Sequence, residues 1–184
     1  MRIVGGKHRS RTLFTPKDNA VRPTSDKVRQ AVFNILNSRG LVVDAIVIDA
    51  FCGTGALGLE ALSQGALSCT FFDKYKNSLD VCRENIALLK EETRSIVTLS
   101  DVTKIGVRGD DVPQADLVFI DPPYHQNLVT PALESLVDGG WVSDDAWFLI
   151  ETAKDENISC PHINVELEKL YGDTKITLTA LKQL

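Results

Sequence analysis

An apolar strand that closes on an acid and turns through glycines into a helix constrains this chain more than any other stretch. It reads Val47-Ile-Asp-Ala-Phe-Cys-Gly-Thr-Gly-Ala-Leu-Gly58, with Asp49 ending the apolar run and glycines at 53, 55 and 58. A strand-to-helix turn built on glycine lets a ligand approach the free backbone N–H groups of the helix start. The G-x-G-x-x-G spacing alone is the dinucleotide fingerprint, and it also arises by accident. Asp49 separates the readings. A carboxylate at the strand end repels a pyrophosphate and suits a ligand that carries an ammonium and a sulfonium. The motif therefore points to S-adenosyl-L-methionine as cofactor.

Around this stretch the sequence alternates between strand and helix periods. Strands are expected at 45–49, 68–73, 95–99, 116–120 and 147–151, and helices at 56–64, 77–90 and 128–137. A further helix starts after Pro23-Thr24-Ser25-Asp26, where hydroxyl caps precede a first-turn acid. It places Val28, Ala31, Val32, Ile35 and Leu36 on one apolar stripe and Lys27, Gln30 and Asn34 on a solvated face. Segments 166–171 and 175–181 flank a Gly-Asp turn and predict a closing antiparallel hairpin. Residues 103–114 read as loop, and Trp141 and Trp147 as core residues flanking the fifth strand. This pattern implies an α/β fold, a doubly wound and mostly parallel sheet covered on both faces. Such sheets bind ligands beyond the carboxyl ends of their strands, near the topological switch point. Asp49, Asp73, Asp101 and Asp121 all stand at or near such ends. Four acids in register along one edge predict a site.

Charge is distributed unevenly. The chain carries a net −5, but residues 1–40 hold nine of its 20 Lys and Arg against only Asp18 and Asp26, a local +7. The rest holds 11 basic and 23 acidic groups. A basic end on an acidic body suggests a polyanionic partner, with a solvated basic face as the alternative. Residues 1–22 read as a small hairpin or arm that presents Arg2, Lys7, Arg9, Arg11, Lys17 and Arg22, and 23–184 as the main domain. Cys52, Cys69, Cys82 and Cys160 lack metal-ligand spacing and are expected to be reduced, mostly buried thiols, so no metal is expected. No apolar run approaches the ~20 residues of a membrane span, and no signal-peptide core is seen. A cytoplasmic location with no membrane association follows as the expectation.

The acids differ in the chemistry they offer. Asp73 lies 20 residues after Gly53, the separation at which a second-strand carboxylate accepts bonds from ribose hydroxyls. Asp101 and the N–H of Val102 are placed to meet an adenine edge. Asp121-Pro-Pro-Tyr124 is the strongest signal: two prolines fix φ and donate no N–H, leaving the carbonyls of Asp121 and Pro122 as outward acceptors. An exocyclic amine on a purine is a poor nucleophile because its lone pair is delocalised. The Asp121 carboxylate and the Pro122 carbonyl can bind its two hydrogens and favour a pyramidal nitrogen, while Tyr124 stacks on the base. His125 follows the motif closely enough to approach the base, but the methylated ammonium loses its proton without a dedicated base.

The Asp49–Gly58 and Asp121–Tyr124 motifs resemble the amino-methyltransferase branch of the S-adenosylmethionine-dependent enzymes. Met1-Arg-Ile-Val-Gly-Gly-Lys, Arg22-Pro-Thr-Ser-Asp-Lys-Val-Arg29 with Phe33-Asn34, Gly55-Ala-Leu-Gly-Leu-Glu-Ala61 and Tyr171-Gly-Asp-Thr174 narrow the likeness. Together they resemble the bacterial 16S ribosomal RNA guanine-N2 methyltransferase family. That resemblance implies a seven-stranded class I (Rossmann-like) methyltransferase fold acting on 16S rRNA, in the small ribosomal subunit or its precursor; a monomer is the expected state. It places Asp121, Pro122 and Tyr124 at the target base, and Asp49, Gly53, Gly55, Asp73, Asp101, Val102 and Thr24 around the cofactor. Family members usually carry an acid where Gln30 stands here. A DNA adenine-N6 methyltransferase, a dinucleotide-dependent oxidoreductase and a non-catalytic RNA-binding assembly factor are the alternatives.

Overall fold

The computed structural model describes residues 1–15 and 25–182. One seven-stranded sheet organises them, in the order β3-β2-β1-β4-β5-β7-β6. In chain order the strands are β1 (Ile46–Asp49), β2 (Ser68–Asp73), β3 (Ser95–Leu99), β4 (Ala115–Ile120), β5 (Val142–Ala153), β6 (Ile163–Tyr171) and β7 (Thr174–Leu181). The helices are α1 (Asp26–Ser38), α2 (Ala56–Ser63), α3 (Lys76–Leu89) and α4 (Val129–Asp138). Strands β3, β2, β1, β4 and β5 run parallel, and β7 and β6 add antiparallel pairings at one end.

Both faces of the central parallel strands β1 and β4 are largely buried, so they read as near-continuous apolar runs. Alternate residues serve opposite faces. Val47, Leu117 and Phe119 join a core with α1, α2 and α3, which contribute Phe33, Leu36, Leu59, Leu62, Leu79 and Ile86. Ile48, Val118 and Ile120 face the other way, onto Leu133 and Leu136 of α4 and onto Val102. Reversal of strand order on either side of β1 creates a switch point between β1 and β4. The crevice beyond their carboxyl ends is where a ligand fits.

Sequence and structure differ most at the edges. β5 begins at Val142, five residues before the expected start, because its pairing with β4 shifts register: Ala115 faces Val142, but Leu117 faces Trp147. Ser143, Asp144 and Asp145 ride in that irregularity and hide the strand from a hydropathy reading. The loop expected at 103–114 starts with a short 3-10 turn (Val102–Lys104) and is braced by Arg108, whose guanidinium donates to the carbonyls of Gly109, Val112 and Gly140. Trp141 meets the ring of Phe72 edge-on at 5.4 Å, and Trp147 lies half-buried beneath Arg39.

Residues 1–15 form a compact hairpin. Arg2 bridges Thr12, and Ile3 and Leu13 are 1% and 3% exposed within the core of α1–α3. Two buried acids fasten it. The Glu60 carboxylate of α2 accepts from the backbone N–H groups of Val4 and Gly5 at 2.8 Å each. Glu60 also faces the fully buried Arg29 of α1, which in turn reaches Asp26 and the Arg2 carbonyl. Glu91, after α3, receives Lys7 at 2.7 Å, His8 at 2.5 Å and Arg94 at 2.6 Å. Burial pushes the Glu91 carboxyl up, but the hydrogen bonds from those three side chains outweigh it and hold it below its ordinary range. The further end of the hairpin approaches the glycine turn, where the Asn85 amide of α3 donates to the carbonyls of both Phe14 and Thr54.

Candidate active site

The turn after β1 is built by two carboxylates. Asp49, 2% exposed, accepts the N–H of Gly58 at 2.9 Å, and Asp73, at the end of β2, accepts the N–H of Gly53 at 2.9 Å and of Tyr75 at 2.8 Å. The backbone turns left-handed at Gly55 (φ 81°), which caps α2. A side chain at Gly58 would lie 2.4 Å from the Phe71 ring and 2.6 Å from the Cys69 sulfur, so glycine there lets α2 lie directly on β2. At Gly53, by contrast, a Cβ would meet nothing within 4 Å, leaving that backbone open to the crevice. Cys52, Cys69 and Cys82 are buried free thiols around this turn, and Cys160 is a half-buried one. Among the described residues no cluster of acids, histidines and cysteines has the makings of a metal site.

Burial pushes the Asp49 carboxyl up to about 7, with the Gly58 N–H opposing and the charge of Asp73 adding to it. A buried carboxylate with a second carboxylate nearby is costly to ionise unless a cation joins it. That is the electrostatic setting a ligand bearing ammonium and sulfonium groups would relieve. The donor and acceptor set at this edge therefore fits S-adenosylmethionine. Asp101 stands one strand further out, after β3, where its carboxylate accepts both the hydroxyl and the N–H of Thr103. The Thr103 hydroxyl in particular holds it below its ordinary range. Val102, which begins the turn that Asp101 caps, is buried.

Across the switch point, β4 runs directly into Asp121-Pro-Pro-Tyr124. Asp121 is half-buried, Pro122 buried, Pro123 exposed and Tyr124 half-buried. The Tyr124 hydroxyl donates to Glu151 Oε1 at 2.9 Å and lies 2.9 Å from Thr174 Oγ1. His125 (φ 59°) and Asn127 (φ 53°) take left-handed backbone conformations as the chain leaves the motif, and the His125 ring meets Tyr124 edge-on at 6.4 Å. Glu151 is 6% exposed at the carboxyl-side level of β5 and is a fifth edge acid, which sequence reasoning passed over. Its signal was present: it closes the apolar run 147–151 much as Asp49 closes its own.

Asp49, Gly53, Gly55, Asp73, Asp101, Asp121, Pro122 and Tyr124 thus gather along one sheet edge. Thr24 and Arg22, like Lys17, lie outside the described residues. Arg2, Lys7, Arg9 and Arg11 occupy the hairpin, away from that edge. Arg2 pairs with Asp26 at 3.1 Å, Lys7 with Glu91, and Arg11 donates to the Leu88 carbonyl. Arg9 lines a groove with Arg2 and Lys27 beside the start of α1.

Residues 1–180 match the family described as conserved hypothetical protein 95. The chain belongs to that family. Among its relatives is ribosomal RNA small subunit methyltransferase D of Escherichia coli, 33% identical over 180 residues, which span 97% of this chain and 88% of the relative. The protein of the same name from Haemophilus influenzae is 32% identical over 163 residues, 88% of this chain and 83% of the relative. Family resemblance extends to the backbone. The solved structure of yhhF from Escherichia coli superposes with a TM-score of 0.83 at 31% identity, covering 99% of this chain and 98% of that one. HI0767 from Haemophilus influenzae gives 0.80 at 29% identity, with 99% and 98% covered.

Proposed function

We propose that this chain transfers a methyl group from S-adenosylmethionine to the exocyclic N2 of a guanine in 16S ribosomal RNA, on the small subunit or its precursor. It does so as a cytoplasmic monomer, with residues 1–22 serving as a basic RNA-binding arm on a methyltransferase domain of residues 23–184. The observation that carries the reading is the position of Asp121–Tyr124: it follows β4, one strand from β1 and its glycine turn, across the switch point. Membership of the family with the ribosomal RNA methyltransferases supports it.

Each residue then has a task. Asp49 balances cofactor charge, Gly53 and Gly55 admit the cofactor to the helix start, Asp73 accepts from its ribose, and Asp101 with Val102 meets its adenine. Thr24 borders the same pocket. The bound cofactor supplies an electrophilic methyl group on a positively charged sulfur. Asp121 and the Pro122 carbonyl accept the two N2 hydrogens and turn the nitrogen lone pair toward that methyl. Tyr124 stacks on the guanine, and Arg2, Lys7, Arg9, Arg11 and Arg22 bind phosphates. Positioning two reactants in line at ~3–3.5 Å supplies much of the acceleration.

The test is transfer of labelled methyl to unmodified small subunits, naked 16S RNA and duplex DNA in parallel. Label on RNA that digests to N2-methylguanine is expected. Label on DNA as N6-methyladenine would discard the RNA assignment. In the same assay Asp121→Ala should lower transfer by about a thousand-fold, in the range by which a key positioned group acts, while calorimetry shows cofactor still bound. Substantial residual turnover would remove Asp121 from the mechanism.

A further inference from the structure

We infer that Glu151 and Thr174 are positioning residues for methyl transfer, which hold the Tyr124 ring through its hydroxyl and so bring the antiparallel end of the sheet into the base site. This rests on the reading of Asp121–Tyr124 as the place where the target base lies. Glu151 follows Ile150, the register partner of Ile120, and so stands level with Asp121 one strand over. Neighbouring strands lie ~4.8 Å apart. Thr174, 7% exposed, opens β7 and pairs with Ala153 of β5. It also closes the Tyr171-Gly-Asp-Thr174 turn, which Lys154 braces by an ion pair with Asp173 at 2.7 Å. The turn thus has a job at the other motif: it carries the oxygen that meets Tyr124.

Two physical points favour a positioning role over simple solvation. A tyrosine that only stacks can leave its hydroxyl to water, yet here a buried carboxylate receives it. Burying a carboxylate is costly unless it is hydrogen-bonded, so the pair is maintained against a penalty. An aromatic ring also has only two side-chain torsions, and anchoring its far end fixes both. A stacking platform fixed in this way holds the base, and hence the attacking nitrogen, in register with the methyl group. Burial and the nearby carboxylates push the Tyr124 hydroxyl well above its ordinary range, so it stays protonated and its part is geometric.

The experiment is the single-turnover rate of methyl transfer to unmodified small subunits, with cofactor affinity by calorimetry as the check on the fold. Glu151→Leu and Thr174→Val should each slow transfer about ten-fold, as small misplacements of reacting groups do. Glu151→Gln, which keeps an acceptor, should stay within about three-fold, since a hydrogen bond survives. Tyr124→Phe should match the slower variants, and adding Glu151→Leu or Thr174→Val to it should slow it no further. Cofactor affinity should not change. If either substitution costs as much beside Tyr124→Phe as it does alone, or costs nothing alone, the inference is overturned. Should Glu151→Leu fail to bind cofactor, Thr174→Val decides. Full activity in Tyr124→Ala would overturn the base-site reading itself, whereas a slow Tyr124→Ala with unaffected Glu151 and Thr174 variants sinks only the inference.

Discussion

At the scale of single residues, Asp49 gives the sharpest prediction. Its carboxyl is raised from an ordinary 3.8 to about 7 in the folded chain, so the folded state keeps a proton that the unfolded state loses near pH 4. The sign follows: stability of the cofactor-free protein falls as pH rises from about 4 to about 7 and then levels. Cofactor affinity moves the opposite way, rising through the same interval because the cationic ligand needs the ionised acid. Thermal unfolding and calorimetry between about pH 5.5 and 7.5 check both slopes. Asp49→Asn should flatten both, and unchanged slopes in that variant would assign them to another group. The four aspartates were legible in the sequence because each stands at or near the end of an apolar run. Glu151 ends one too, but the sequence marks it only as the close of a strand. Its partner Tyr124 stands 27 positions away, and Thr174 stands 50 positions from Tyr124. Arg29 and Glu60 were visible only as letters in longer motifs. Nothing local says that an arginine beside an apolar stripe is fully buried until its acid arrives from another helix.

At the scale of elements, the hairpin depends on α2 for its place. Glu60→Ala leaves the N–H groups of Val4 and Gly5 without their acceptor and strips a buried counterion from Arg29. Breaking such a buried pair costs about 3–5 kcal/mol, so urea unfolding should shift to markedly lower midpoints. Glu60→Gln, which keeps an acceptor oxygen, should cost less. Within the glycine turn, Gly58→Ala forces a methyl group against the Phe71 ring and Cys69, and overpacking of this kind costs about 1–3 kcal/mol. Denaturation alongside cofactor calorimetry reads both consequences. The central strands and α2–α4 were legible to within a residue or two because apolar periodicity sets them. The start of β5 was not, because a register shift carries polar residues through the strand. The hairpin was legible as a small basic arm, but its docking depends on acids far along the chain.

Across the whole molecule, charge and geometry divide the work. The basic loop of the hairpin around Gly5 and His8 bonds Ser63 at the carboxyl end of α2, and that helix, Ala56–Ser63, is roughly 12 Å long at about 1.5 Å per residue, with the glycine turn at its other end. RNA held by the hairpin would therefore lie beside the methyl-transfer edge and not across it. Affinity for RNA should fall steeply with salt, and Arg9→Ala with Arg11→Ala should reduce the log–log slope by about 0.7–0.9 for each phosphate no longer neutralised. An unchanged slope would move the RNA surface elsewhere. Docking of the hairpin also has a consequence in time. His8 and Glu91 are 83 positions apart, and Gly5 and Glu60 are 55 apart. At a synthesis rate of ~5–20 residues per second, this cationic segment is synthesised several seconds before Glu60 and Glu91. The part of the chain proposed to grip ribosomal RNA is thus made before the body that fastens it, beside ribosomal RNA, and Lys7 gains its carboxylate, Glu91, only once α3 has been completed.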